Sequence, residues 1–129
     1  MELTFPRKER LKSKKLIERL FVEGTSINAY PLKLIYLKAP LSEDVFFQVA
    51  AVAPKKNFKA AVQRNRIKRL IREAYRLNKH LIFNNTEAQY ALVILYLGKE
   101  MPSFAQIEEK TKAVLTKFLK QMPNEKNGQ

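Results

Sequence analysis

Residues 60–78 read Ala-Ala-Val-Gln-Arg-Asn-Arg-Ile-Lys-Arg-Leu-Ile-Arg-Glu-Ala-Tyr-Arg-Leu-Asn. At about 100° per residue, Ile67, Leu70, Ile71, Ala74 and Leu77 fall in one arc, and Arg64, Asn65, Lys68, Arg69, Arg72 and Arg76 in another. The pattern predicts a helix from about Ala60 to about Asn78 with an apolar face for a sheet and a cationic face away from it. A surface helix usually interleaves Glu with Lys four residues apart, because such pairs stabilise it. Here like charges meet at Arg64/Lys68, Lys68/Arg72 and Arg72/Arg76, and Glu73 is the one acid among them. A face built this way needs anions from outside the protein. All its cations but Lys68 are Arg, whose planar fork grips phosphate oxygens in pairs and stacks on bases.

Upstream, residues 32–38 and 45–53 are rich in β-branched and aromatic side chains and are bounded by Pro31, Pro40, Ser42 and Pro54. They read as two strands joined by a short acidic turn through Glu43 and Asp44. Downstream, Tyr90 to Leu97 is an apolar run of strand length. Ser13 is placed to cap a first helix carrying Leu16, Ile17, Leu20 and Phe21, with Gly24 to end it. Ser103 and Gln106 form a capping-box pattern ahead of Phe104, Ile107, Thr111, Val114, Leu115 and Phe118, which predicts a last helix. The order helix, strand, strand, helix, strand, helix predicts an α+β fold, a small two-layer α/β sandwich with a mixed sheet and helices packed mainly on one face. One RNA-binding domain over residues 1–122 is expected, followed by a flexible tail from Pro123 to Gln129.

The chain has 129 residues, with 25 Lys and Arg against 12 Asp and Glu and a formal net charge of +13, so a polyanionic partner is expected. The charge is uneven: residues 1–80 carry a net +12 and residues 81–129 a net +1. Ten cations and a single acid lie between Lys55 and Lys79. With no Cys, a disulfide framework, a thiolate metal site and a cysteine nucleophile are excluded. The one histidine, His80, leaves no His-based metal cluster. The charged N-terminus lacks the apolar run of a signal peptide, so none is expected, and a cytoplasmic setting is allowed.

The run Arg64-Asn65-Arg66-Ile67-Lys68-Arg69-Leu70-Ile71-Arg72-Glu73-Ala74-Tyr75-Arg76 resembles the signature helix of the protein subunit of bacterial ribonuclease P, and Ala61-Val62 and Lys55-Lys56 suit it. The resemblance continues through Arg10-Leu11, Leu20-Phe21 and Gly24-Thr25-Ser26, so it covers roughly residues 5–80. It implies a left-handed βαβ crossover at the arginine-rich helix, against ordinary connection chirality. It also implies a role in removing the 5′ leader of precursor tRNA, with a catalytic RNA and magnesium ions, held mainly by that RNA, performing the phosphodiester hydrolysis. The protein would bind the catalytic RNA and the leader and supply no catalytic residue. Arg64, Asn65, Arg66, Lys68, Arg69, Arg72 and Arg76, extended by Lys55 and Lys56, would face RNA. A leader cleft between the first helix and the sheet would use Phe21, together with Ile17, Lys33 and Ile35.

Three features depart from the usual family pattern. Ala53-Pro54 stands where many members have a Ser before the Lys pair. Asn57-Phe58-Lys59-Ala60 fills, with an extra residue and no Gly, a stretch that several members turn with Gly. Ile17 replaces an aromatic often found one turn before Phe21, so the cleft is expected to grip more by charge and less by stacking.

The main alternative is a small basic ribosomal or general RNA-binding protein, which the Arg64–Arg76 run argues against. A DNA-reading helix would carry base-reading Asn, Gln or Ser among its arginines, and only Asn65 fits. A metal-dependent nuclease needs clustered carboxylates, and Glu43 and Asp44 read as a solvated turn. An anionic membrane surface would want an exposed apolar side that a sheet-packed helix lacks.

Overall fold

The computed structural model describes residues 4–83 and 88–127. In chain order the elements are α1 (Lys14–Glu23), β1 (Thr25–Ala29), β2 (Leu32–Lys38), β3 (Phe47–Val52), α2 (Ala61–Asn78), β4 (Tyr90–Tyr96) and α3 (Phe104–Asn127). The strands form one mixed sheet in the order β1-β2-β4-β3, antiparallel except for the parallel pair β3 and β4. The α+β reading therefore holds, with α2 connecting two adjacent parallel strands.

The two predicted strands around the acidic turn are present, but they are not neighbours. β4 lies between β2 and β3, pairing Leu34 with Ile94 on one side and Val49 with Leu92 on the other. Every residue of β4 is buried, and a strand apolar on both faces loses most water at the centre of a sheet. The acidic connection instead runs past the start of β4, where Gln89 holds it. The Gln89 side chain accepts from Leu41 N at 2.9 Å and donates to the carbonyls of Glu43 and Val45 at 3.0 and 2.8 Å. β1 is a strand that the sequence reading passed over. Of its five residues only Ile27 is fully buried, and the strand stands at the sheet edge.

Alternation along the strands divides the core between two faces. Leu34 and Tyr36, Phe47 and Val49, and Leu92 and Ile94 face α2 and α3; Ile35, Ala91, Val93 and Leu95 face α1. The two long helices thus share one face, and α1 packs alone on the other. α3 runs past Pro123, where the sequence reading begins a tail, to Asn127; residues 128 and 129 lie outside the described residues.

The helix boundaries follow their predicted signals. Ser13 Oγ accepts from Leu16 N at 3.2 Å, and Ser103 Oγ accepts from Gln106 N at 3.1 Å. Gly24 ends α1 in an extended conformation, so its glycine is required by a close approach rather than by a left-handed turn. A Cβ there would lie 2.5 Å from both Leu20 O and Ile35 Cγ2. That contact seats the end of α1 on β2.

Candidate nucleic-acid interface

α2 buries Ile67, Ile71, Ala74, Tyr75 and Asn78. Its far end is tied down by Asn78 Nδ2, which donates to Ala74 O at 2.8 Å and to Glu108 Oε2 of α3 at 3.2 Å. With that side fixed, Asn65, Arg66, Arg69 and Arg72 project into solvent, and Lys68 and Arg76 are half-buried beside them. The predicted cationic face exists as a continuous strip, with two of its members differently engaged. Arg64 turns back across the start of the helix, where one terminal nitrogen donates to Phe58 O at 2.8 Å and Lys59 O at 2.7 Å. Ala60 offers no side-chain cap, so Arg64 is what fastens the preceding loop to α2. Arg76 donates through Nε to Glu73 Oε2 at 3.0 Å, and this bond holds the Glu73 carboxyl below the usual carboxylate range. Glu73 is thereby occupied, and among the described residues no other arginine of α2 pairs with a carboxylate. Arg72 has its pKa lowered, first by partial burial and then by the charges of Arg10 and Arg69.

Lys55 and Lys56 lie exposed on a turn that follows Pro54, in which Asn57 N donates to Pro54 O at 3.2 Å. In the stretch without glycine, Phe58 is buried and packs against Tyr96 with ring centroids 6.0 Å apart. Lys56 and Asn57 line a cleft of about 470 Å³ with Leu97 and Lys99, so Lys99 adds a cation beside the lysine pair from an element that the sequence reading left without a role.

On the opposite sheet face, Ile35 is buried and Ile17 is half-buried against it in the core beneath α1. Lys33 is half-buried and, two residues from Ile35 along β2, shares that face. Phe21 follows Ile17 by one helical turn and is 49% exposed. The four predicted cleft residues therefore belong to one side of the sheet, with Phe21 as the accessible aromatic and Ile17 and Ile35 largely committed to packing.

The N-terminal residues are the part of this surface that sequence patterning did not flag. Phe5 is buried with its ring edge-on to Tyr75 of α2, 5.4 Å between centroids, and Arg10 lies beside Arg69 and Arg72. This segment has no helical or strand period. Beyond the resemblance at Arg10-Leu11, its density of charge is what points to it.

Among the described residues, no group of three or more His, Cys, Asp or Glu is placed to hold a metal ion. The described side chains offer no such cluster for a magnesium ion, and no chemical step is routed through a protein-held ion.

Residues 5–119 match the family model described as Ribonuclease P. The chain belongs to the ribonuclease P protein family. It is 32% identical over 119 residues to the ribonuclease P protein component of Porphyromonas gingivalis, covering 90% of this chain and 87% of that one. The corresponding component of Chlorobium phaeobacteroides is 37% identical over 114 residues, covering 78% of each. The ribonuclease P proteins of Staphylococcus aureus and Thermotoga maritima share its fold, each with a TM-score of 0.66. They are 23% and 24% identical and cover 83% and 84% of this chain, and 92% and 96% of their own. This ribonuclease P protein is thus a protein component of a ribonucleoprotein endoribonuclease, and the strip on α2 is its most concentrated display of charge.

Proposed function

We propose that this ribonuclease P protein binds the catalytic RNA and the 5′ leader of precursor tRNA, while that RNA cleaves the phosphodiester bond. The observation that carries the reading is the α2 strip, where Arg66, Arg69 and Arg72 are exposed and the one nearby carboxylate, Glu73, is already bonded to Arg76. Guanidinium groups without internal acceptors are suited to phosphate oxygens. Neutralising several phosphates makes binding strong, tolerant of sequence and steeply dependent on salt. Magnesium is proposed to be held by RNA phosphates, where it would activate water and stabilise charge on the reacting phosphate. The proposed setting is the cytoplasm; among the described residues no helix is long and apolar enough to cross a membrane.

The test is cleavage of a 5′-labelled precursor tRNA by the cognate catalytic RNA at low magnesium, with the protein, without it, and with the protein alone. Faster cleavage by the pair and none by the protein alone is the expected result. An unchanged rate with RNA binding retained would favour the ribosomal or general RNA-binding reading. Cleavage by the protein alone would place the chemistry in its side chains.

Phe21 supplies a narrower prediction. Being half-exposed, it has little packing to lose, so Phe21→Ala is expected to leave the melting temperature nearly unchanged. Stacking of one base on an aromatic is worth about 1–3 kcal/mol. Affinity of the holoenzyme for precursor tRNA should fall by a corresponding factor, while affinity for mature tRNA, which has no leader, stays the same. Equal losses for both RNAs would remove Phe21 from the leader cleft.

A further inference from the structure

Residues 5–11 form a strap against α2 and β3. Arg7–Glu9 make one 3-10 turn, and Arg10 bridges Val49 of β3. Leu11 N donates to Val49 O at 3.0 Å, and Gln48 Nε2 donates to Lys8 O at 2.9 Å. Lys79, just past the end of α2, donates to Glu9 Oε1 at 2.8 Å, with the two side chains 2% and 14% exposed. Desolvation cancels much of the attraction in a pair so deeply buried, so net stability is a weak reason for it. What it does achieve is to fix the strap at one height along α2.

The group so fixed is Arg10. Its guanidinium lies over the Phe5 ring, 5.2 Å from the centroid, and Nε donates to Phe5 O at 3.2 Å. Arg10 lines a cleft of about 280 Å³ together with Phe5, Arg69, Arg72, Glu73 and Arg76. Glu73 is engaged by Arg76, so Arg10, Arg69 and Arg72 meet at this cleft without a carboxylate of their own. Partial burial and then the charges of Arg10 and Arg69 lower the pKa of Arg72. Like charges gathered on a rigid frame raise the energy of the protein alone and lower it when an anion enters. Pairs of guanidinium nitrogens match phosphate oxygens in spacing and plane.

We propose that Arg10, Arg69 and Arg72 form a preorganised cradle for a single backbone phosphate of RNA, with the Glu9–Lys79 ion pair acting as its positioning device. The ligand class rests on the function proposed above; the geometry of the cradle does not. Arg10 is a binding residue in this account, and Glu9 and Lys79 act through it.

The experiment measures affinity of the full-length protein for the cognate catalytic RNA across a salt series. Arg10→Gln is expected to weaken binding about tenfold at about 0.15 M salt and to flatten the log–log salt slope by about one unit. Lys12→Gln removes the same charge from an exposed neighbour outside the cleft and should change affinity far less. Combined with Arg72→Gln, Arg10→Gln should cost less than the product of the two single losses, because both arginines serve one phosphate. Glu9→Ala separates positioning from charge: it makes the protein more positive, so a simple charge account expects tighter binding and the strap account expects weaker. If Glu9→Ala does not fold, the comparison of Arg10 with Lys12 decides. Equal losses from Arg10→Gln and Lys12→Gln, or losses that multiply with Arg72→Gln, would overturn the cradle and leave RNA binding by α2 standing. Wild-type protein with no salt-sensitive affinity for the catalytic RNA would overturn the proposed function and the cradle with it.

Discussion

Replacing Arg66, Arg69 and Arg72 together by Gln is expected to lower affinity for the catalytic RNA about a hundredfold at physiological salt while leaving the circular dichroism spectrum native. All three are exposed, and none pairs with a carboxylate among the described residues. If Arg66 faces one phosphate and Arg69 and Arg72 share a second, each phosphate contributes about 0.9 to the salt exponent, so the log–log slope should flatten by about two units. A hundredfold loss corresponds to about 2.7 kcal/mol, or about 1.4 kcal/mol for each phosphate. Folding should not suffer. The triple variant removes like-charge neighbours from one helix face, which relieves repulsion worth a few tenths of a kcal/mol per pair. Arg64 is left out deliberately, because it bonds the Phe58 and Lys59 carbonyls and its loss would also loosen the start of α2. Unchanged affinity in the folded triple variant would remove the α2 strip from the RNA interface.

The strip was legible in the sequence because helix period and charge coincide in it. From Arg64 to Arg76 every third or fourth residue is apolar, and the remainder are nearly all cationic. Capping was legible for the same local reason, since Ser13 and Ser103 each act on a backbone N–H three residues ahead. What the sequence hid is non-local. β1 presents one buried side chain in five, too little alternation to mark a strand, and it is stabilised by pairing with β2 rather than by its own burial. The separation of β2 from β3 depends on where β4 enters, about forty residues later in the chain, and no property of the Glu43–Asp44 turn encodes that. Tyr75 sits in the cationic run yet is completely buried against Phe5, which comes from the other end of the sequence. Among the described residues its hydroxyl has no hydrogen-bond partner, and burial pushes its pKa well above the ordinary tyrosine value, with the Glu9 charge adding to the rise. The ring is therefore held neutral as an apolar surface for the strap. Arg64 carries a second role that its type and spacing do not show, since its guanidinium bonds the Phe58 and Lys59 carbonyls of the loop before α2.

The other large effect is expected far from the charged strip, at Phe118 of α3. Its side chain is fully buried, with ring centroids 4.8 Å from Tyr36, 5.4 Å from Tyr90 and 6.0 Å from Phe47. These partners belong to β2, the start of β4, and β3, so one ring from α3 bridges three strands of the sheet. Edge-on contacts between rings add to the burial of the side chain, and Phe→Ala in such a site costs about 3–5 kcal/mol. Against a total stability of about 5–15 kcal/mol for a domain of this kind, that is about a fifth of the whole or more. Urea denaturation of Phe118→Ala should show the midpoint moved down in proportion with the slope unchanged, since the same surface is exposed on unfolding. The consequence for RNA follows from how α2 is held. Its far end is bonded to Glu108 of α3 through Asn78, so α3 supports the strip as well as the sheet. Where Phe118→Ala is folded, RNA affinity should stay close to wild type, because no phosphate contact has been removed. On warming, binding should be lost at the lowered melting temperature of the variant, and not before it. A folded Phe118→Ala protein with weakened RNA binding would instead mean that α3 tunes the strip through α2, and that core packing and phosphate recognition are coupled in this protein.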